Sequence, residues 1–455
     1  MPELSNNLYT AVSVADMAEC RERRAYRQLE LIRAFNLPVV SFTLNIAGPI
    51  KNSVLIEFGF ELGLDAILNE LNGAVVKIER TVEKTGCEAL IVVNRSANVV
   101  KTQMMQIEED SSIGRWYDID VIDTNGDKLS RPKPRKCIIC GENASVCARS
   151  RAHSVDILTK CTKKAFMGVM ADCIGNLACS ALYDEVHLTP KPGLVDELNS
   201  GANSDMDIIT FERSIEAIRP FFSQMAAAAL DNPSNGNLLM NRLQIIGMDA
   251  ERAMLEATGG VNTHRGAIYS AGLLVSAFAV LIAGNLKIKC SDFETALVNA
   301  AADLSKKQMI LESAVSNGAR VRKIYGVSGP REQAAEGFPI ARQVLRKYEE
   351  YSQKGYGSPW IVALLLAMVL LDDNNCFKRG GLEGAAFVKR RAAELLELNQ
   401  ELSDEKLMIF DDQLIKRNIS CGGAADTLAA AMLIKKIKDT NIVNRNVKML
   451  NCEAQ

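Results

Sequence analysis

The residue pattern of the chain changes once, near Val155, and that change limits the fold more than any single motif. Beyond it, stretches rich in Ala, Leu, Met, Glu and Lys follow one another: SVDILTKCTKKAFMGVMADCIGNLACSALYDEV, FERSIEAIRPFFSQMAAAAL, DAERAMLEAT, FETALVNAAADLSKKQMILESAVS and AAFVKRRAAELLELNQEL. Each suits a helix, and no convincing strand lies among them. The earlier part mixes types. SVADMAECRERRAYRQLELIRAFN reads as an amphipathic helix with Ser13 as N-cap and Pro38 beyond its end. VVSFTLNIAG and EALIVVN are short β-rich runs, YDIDVID alternates apolar and acidic residues, and NGDK is a turn. The fold expected is multidomain: an α+β domain over residues 1–165, then an all-α domain over 166–455. The basic stretch RPKPRK, Arg131 to Lys136, is expected as a spacer after the mixed region.

Charge excludes one class of partner. Lys+Arg of 53 against Asp+Glu of 55 gives no global basic field for nucleic acid. The first residues lack the apolar core of a signal peptide, and twelve cysteines then read as reduced cytoplasmic thiols. Two apolar runs, Ala267 to Gly284 and Trp360 to Leu371, resemble membrane spans. The second is too short and the first is rich in Ala, Ser and Gly, so both are expected as buried helices, without a membrane.

Two constellations stand out before the change of pattern. In GRWYDIDVID, Asp118 and Asp120 are two apart on a strand and point to one side, where both can reach one hard cation. Arg115 beside them can pair with phosphate oxygens. The plainer alternative is a solvated strand face. Further on, Cys137, Cys140, Cys147 and His153 are the ligand types of tetrahedral zinc, though the spacing is not that of a common finger. The alternative is reduced structural cysteines beside the basic residues Arg149 and Arg151.

The helical half carries polar, Gly-containing loops. KPGLVDELNSGANSDMD offers Lys191, Asp196, Asn199, Asp205 and Asp207. TGGVNTHRGA supplies Asn262, His264 and Arg265 ahead of an apolar helix, and GPREQAAEGFP supplies Arg331 and Glu332. DDNNCFKRGG supplies Asp373, Asn375 and Arg379; SCGGAAD supplies Gly422, Gly423 and Asp426. One such loop is ordinary. Five, combining acids with Gly and Arg, point to a shared cleft for a metal–nucleotide substrate. No Walker or kinase signature is present, so the nucleotide is held in another way.

These loops, taken as EVHLTPKPGLVDELNSGANSDMD, GVNTHRGAIYSAG, DDNNCFKRGG and KRNISCGGAADTLAA, resemble the triphosphoribosyl-dephospho-CoA synthase family of citrate lyase biogenesis. IGRWYDIDVID followed by RPKPRKCIICGENASVCARSRAH resembles the phosphoribosyl-dephospho-CoA transferase family that modifies the citrate lyase acyl carrier protein. Together they look like a fusion of the two. The resemblance implies ATP, 3′-dephospho-CoA and the apo acyl carrier protein as substrates, and Mg²⁺ as metal. It implies catalytic roles for Asp118, Asp120, Arg115, His264, Glu332 and Asp373. Metal contacts fall on Asp118, Asp120, Asp205 and Asp207, and substrate contacts on the other loop residues. The family's usual His stands here as Asn203, and Pro330, Gln333, Cys421 and Ala424 are further departures. Two other readings stay open at this point: a glycosyl hydrolase acting on nucleosides in the helical half, and a non-catalytic carrier-docking module in the first half.

Overall fold

The structure is a computed structural model that describes residues 8–234, 236–284, 290–311, 329–355 and 357–440. It divides into two compact units, Met1–Met170 and Ala171–Gln455.

In the first unit, helix α1 (Val14–Phe35) starts at a capping box. The Ser13 hydroxyl accepts from the Asp16 N–H (3.1 Å) and the Asp16 carboxylate accepts from the Ser13 N–H (2.8 Å). Asn36 ends it in the left-handed region, which Asn tolerates. Then come β1 (Val39–Leu44), α2 (Val54–Glu70), β2 (Val75–Glu83), β3 (Gly86–Val93), α3 (Ala97–Asp110) and β4 (Tyr117–Ile122). The strands form one antiparallel sheet in the order β2-β3-β1-β4. One face packs on α2 and α3, with Phe42 stacked on Phe60 at 4.8 Å and edge-on to Tyr117 at 5.4 Å. The opposite face carries a smaller apolar cluster in which Leu31 and Ile32 of α1 meet Val39, Leu90, Val92 and Ile122.

The stretch RPKPRK is not a spacer. Arg131 and Arg135 both reach the Glu108 carboxylate, which is only 5% exposed, so the segment is fastened to α3. A buried carboxylate needs paired charge, and these two guanidinium groups supply it. A short helix, α4 (Ala144–Ser150), and α5 (Val155–Val186) follow, and α5 contributes residues to both units.

The described residues of the second unit form helices and connecting loops without strands. After α5 come α6 (Ile208–Asp231), α7 (Gly236–Ala257), α8 (Arg265–Ala283), α9 (Cys290–Leu311) and α10 (Pro330–Ala335). Then follow α11 (Pro339–Lys354), α12 (Pro359–Leu370), α13 (Asn374–Glu397), α14 (Asp404–Lys416) and α15 (Gly422–Asp439). The end of the run FETALVNAAADLSKKQMILESAVS lies outside the described residues. Helices α5 and α8 are long and apolar enough to cross a membrane. In α8, 78% of that apolar window is buried within the protein, where it packs against α6, α9 and α15. α12 is similarly enclosed from Ile361 to Met368. Burial by neighbouring helices accounts for apolar character on every side of a helix.

Candidate functional site

Four of the five polar loops meet at one cavity of about 280 Å³. Its walls include Asn262, Arg265, Pro330, Gln333, Asp373, Asn375, Gly423 and Asp426. Two long helices, α8 and α15, and the short first segment of α13, which breaks at Gly381, begin at this wall, so their positive dipole ends face one space.

Asp373 ties two of these helix starts together. One carboxylate oxygen accepts from the Asn375 N–H (2.8 Å), capping α13, and the other accepts from the Ala424 N–H (2.9 Å) of α15. Only glycine at 423 permits this, because a Cβ there would stand 2.9 Å from the Asp373 oxygen. Gly422 makes the same room for Asn375. Burial pushes the Asp373 carboxyl above the usual range, and four backbone N–H groups oppose that shift. Asp426 lies one turn into α15, against Gly266 of α8; a Cβ at 266 would collide with its carboxylate. Burial first, then the charges of Glu185 and Asp373, hold the Asp426 carboxyl well above the carboxylate range. Arg265 pairs with Glu251 at 3.0 Å, and its N–H donates to the Asn262 side chain (3.2 Å).

The remaining loop residues fall elsewhere. α10 is a single short turn that sets Pro330 and Gln333, three apart, on the cavity face. Glu332 folds back to accept from the Gly329 N–H (2.8 Å), and Arg331 lies over the Tyr269 ring at 5.8 Å beside a second cavity of about 250 Å³. Gln333 is thus a cavity residue that sequence reasoning missed; only the three-residue spacing from Pro330 marks it. His264 is buried beneath the cleft rim. Thr263 donates to Ser214 (2.7 Å), which meets His264 Nδ1 at 2.7 Å. Burial, with Lys191 nearby, lowers the imidazole to about 3 and keeps it neutral.

The loop KPGLVDELNSGANSDMD does not line the cavity, and the expectation that it does is corrected here. Residues 190–196 are buried. The Gly193 N–H and the Asn199 amide both donate to Asp411 of α14 (2.7 and 2.9 Å). Arg379 grips the other limb, donating to the Ala202 carbonyl (2.6 Å) and the Asn203 side chain (2.8 Å). Lys191 is enclosed and donates to the Glu185 carboxylate (2.6 Å) and carbonyl (2.7 Å). Its charge is used inside the protein. Asp196 organises the turn by accepting from the N–H groups of Lys191, Leu198 and Asn199. Asp207 caps α6 through Thr210, and Asp205 is exposed.

In the first unit, Thr43 of β1 pairs with Glu88 on one side and Asp118 on the other, while Ser41 pairs with Asp120. The two aspartates therefore share the α1 face of the sheet, at its polar end. Basic groups surround them. Lys128 pairs with Asp120, Arg135 stands 3.9 Å from Asp118, and the buried Lys101 donates to the Ile119 carbonyl (3.3 Å). Burial, then Asp120, raise the Asp118 carboxyl, while Lys128, Arg24 and Lys101 oppose them. Arg115 turns away and donates to the Lys136 carbonyl. The arrangement can hold a divalent cation between two carboxylates with basic side chains at hand for phosphate oxygens.

Cys137, Cys140, Cys147 and His153 also come together. Their ligand atoms all lie within 4.8 Å of one another. The Cys140 and then the Ile139 N–H groups point at the Cys137 sulfur and lower its thiol to about 6. The ten cysteines whose side chains are described are free thiols.

Comparison with known proteins matches both units to family models. Residues 171–445 match the model described as ATP:dephospho-CoA triphosphoribosyl transferase. Residues 12–168 match that of apo-citrate lyase phosphoribosyl-dephospho-CoA transferase. The protein CitXG of Haemophilus influenzae is 34% identical, over 92% of this chain and 95% of its own. Protein CitXG of Leuconostoc mesenteroides subsp. cremoris is 30% identical over 94% and 97%. A 2-(5″-triphosphoribosyl)-3′-dephosphocoenzyme-A synthase of Haemophilus ducreyi is 33% identical, over 64% of this chain and 97% of its own. With two family models in order along the sequence and full-length relatives that join both, the chain belongs to the ATP:dephospho-CoA triphosphoribosyl transferase family, fused behind an apo-citrate lyase phosphoribosyl-dephospho-CoA transferase domain.

Proposed function

We propose that the chain makes the citrate lyase prosthetic group and attaches it, one transfer per unit. In the helical unit, the ribose 2′-hydroxyl of 3′-dephospho-CoA attacks C1′ of ATP. The bond from C1′ to adenine breaks, and the triphosphate stays on the sugar. In the first unit, a serine hydroxyl of the apo acyl carrier protein attacks the innermost phosphorus of that triphosphate, and pyrophosphate leaves. ATP and dephospho-CoA as substrates go with an enzyme that works in the cytoplasm.

The observation that carries this reading is the convergence of three helix N-termini on a cavity that also holds Asp373 and Asp426. Helix N-termini and Arg265 suit the triphosphate. Departing adenine must take up a proton, which Asp426, held well above the carboxylate range, is placed to give, and the proton that the attacking 2′-hydroxyl releases to solvent restores Asp426. Asp373 acts as a positioning residue, since both its oxygens are engaged by backbone N–H groups. In the first unit, Asp118 and Asp120 are the fitting pair for Mg²⁺, which would neutralise charge on the departing pyrophosphate. Asp205 and Asp207 fit a metal poorly as a pair, because Thr210 engages Asp207.

Mass spectrometry of the apo carrier protein, incubated with the enzyme, ATP, Mg²⁺ and dephospho-CoA, tests the whole reading. The expected result is a mass gain of one phosphoribosyl-dephospho-CoA on serine, with adenine released only when dephospho-CoA is present. Adenine release without dephospho-CoA would establish the glycosyl hydrolase instead.

A further inference from the structure

The first unit contains a four-residue cluster that neither transfer uses. Cys137 and Cys140 flank a tight turn closed by the Cys137 N–H donating to the Glu142 carbonyl (2.6 Å) and the Gly141 N–H donating to the Cys137 carbonyl (3.1 Å). Gly141 takes the left-handed conformation this turn needs. Asn143 then caps α4, which carries the half-buried Cys147. Arg151, also left-handed, ends α4 after two turns and sends the chain back, so that His153 reaches Cys140. Each step serves to bring four donor atoms to one point.

The spacing of those atoms is informative. A zinc ion with Zn–S near 2.3 Å and Zn–N near 2.0 Å places its tetrahedral ligand atoms about 3.5–3.8 Å apart. Here the Cys140 and Cys147 sulfurs are 3.5 Å apart, and His153 Nε2 is 3.4 Å from the Cys140 sulfur. Disulfide sulfurs would stand near 2.05 Å. Three thiols and an imidazole complete a tetrahedron, leaving no open position for substrate.

We propose that Cys137, Cys140, Cys147 and His153 bind one structural zinc ion that clamps residues 137–153. The clamp has a functional side. The Ala144 N–H donates to the Arg135 carbonyl (2.9 Å), Lys136 pairs with Asn143, and Arg115 donates to the Lys136 carbonyl. Arg135 in turn reaches Glu108 and the Tyr117 carbonyl and stands beside Asp118. Zinc thereby fixes the basic wall of the aspartate pair. This second step rests on the carrier-transfer reading of the first unit; zinc binding itself does not.

Metal analysis of the full chain, purified from zinc-supplied cells and dialysed against a weak chelator, tests the site. The wild type and Cys161→Ser, a neighbouring thiol outside the cluster, should each hold one zinc per chain. Cys140→Ser and His153→Ala should lose it, and cobalt reconstitution should give thiolate-to-cobalt absorption only in the first two. Wild type without zinc, a Cys140–Cys147 disulfide, or stoichiometric zinc in both cluster variants would overturn the proposal. In Cys140→Ser, carrier modification should fall on the order of 10-fold, while adenine release is unchanged. Zinc lost with carrier modification intact would leave the metal site standing and remove its link to the aspartates.

Discussion

At the scale of single residues, Asp426 and Asp118 are carboxyls displaced upward for the same main reason, burial, and the proposed function gives each to a different reaction. Asp426→Asn keeps shape but cannot give a proton, so adenine release should fall by about 10²–10⁴-fold. The same change carries a stability signature. An acid raised in the folded state keeps a proton that the unfolded chain releases, so wild-type stability declines as pH rises above the ordinary carboxylate range. Asp426→Asn removes that decline. Its unfolding midpoint should gain on the wild type from pH 4 to pH 8, read by calorimetry; a gap that does not change with pH would show that Asp426 is ionised in the fold. Asp118→Asn and Asp120→Asn should abolish carrier modification and leave adenine release as in the wild type. Equal loss of both reactions in either variant would detach these residues from the second transfer.

At the scale of elements, the sequence shows long helices better than short or charged pieces. The runs that became α5, α6, α8 and α9 were legible because helix formers and apolar residues persist over many turns. β2 was missed because VVKIERTVE lies at a sheet edge with much of its length exposed, and its charges hide the strand. α2 and α3 were missed too; in VLIEFGFELGLDAILNE apolar residues and glycines surround the helix, and no single stripe stands out. At the site, the sequence supplies which loops matter but not which way each side chain turns. Asp373 and Asp426 enter the cleft while Lys191 is consumed by Glu185, a partner whose role in burial the sequence does not display. The helix starts are what the cleft depends on, and Gly423→Ala tests them. The new Cβ would crowd the Asp373 oxygen that holds the Ala424 N–H, so the start of α15 must shift. Adenine release should fall at least 10-fold with KM for ATP raised, whereas Gly168→Ala, at an open position on α5, should alter neither. Wild-type kinetics in Gly423→Ala would mean that the joined helix starts do not bind the nucleotide.

At the scale of the whole molecule, the change of pattern near Val155 marks where helix takes over, but a unit of the fold is closed by its core rather than by its pattern. Helix α5 begins at Val155, and its first turns still serve the first unit. Thr162 accepts from the Trp116 indole N–H (2.9 Å), and Phe166, 1% exposed, packs edge-on to Trp116 at 5.7 Å. Gly59 of α2 lies directly against the Phe166 ring, where no larger residue fits. A boundary after residue 165, natural from the sequence, therefore cuts this core. A fragment 1–165 loses the Phe166 side chain, and removing a buried Phe costs about 3–5 kcal/mol, a large part of the stability of a domain this size. A fragment 1–176 keeps the ring and nearly three further turns of helix. The longer fragment should be soluble, unfold cooperatively and modify the carrier when supplied with the triphosphoribosyl intermediate. The shorter one should aggregate or melt well below it, and Phe166→Ala in the longer fragment should reproduce most of that loss. Equal melting of the two fragments would show that Phe166 is dispensable and that the first unit closes before α5 reaches it.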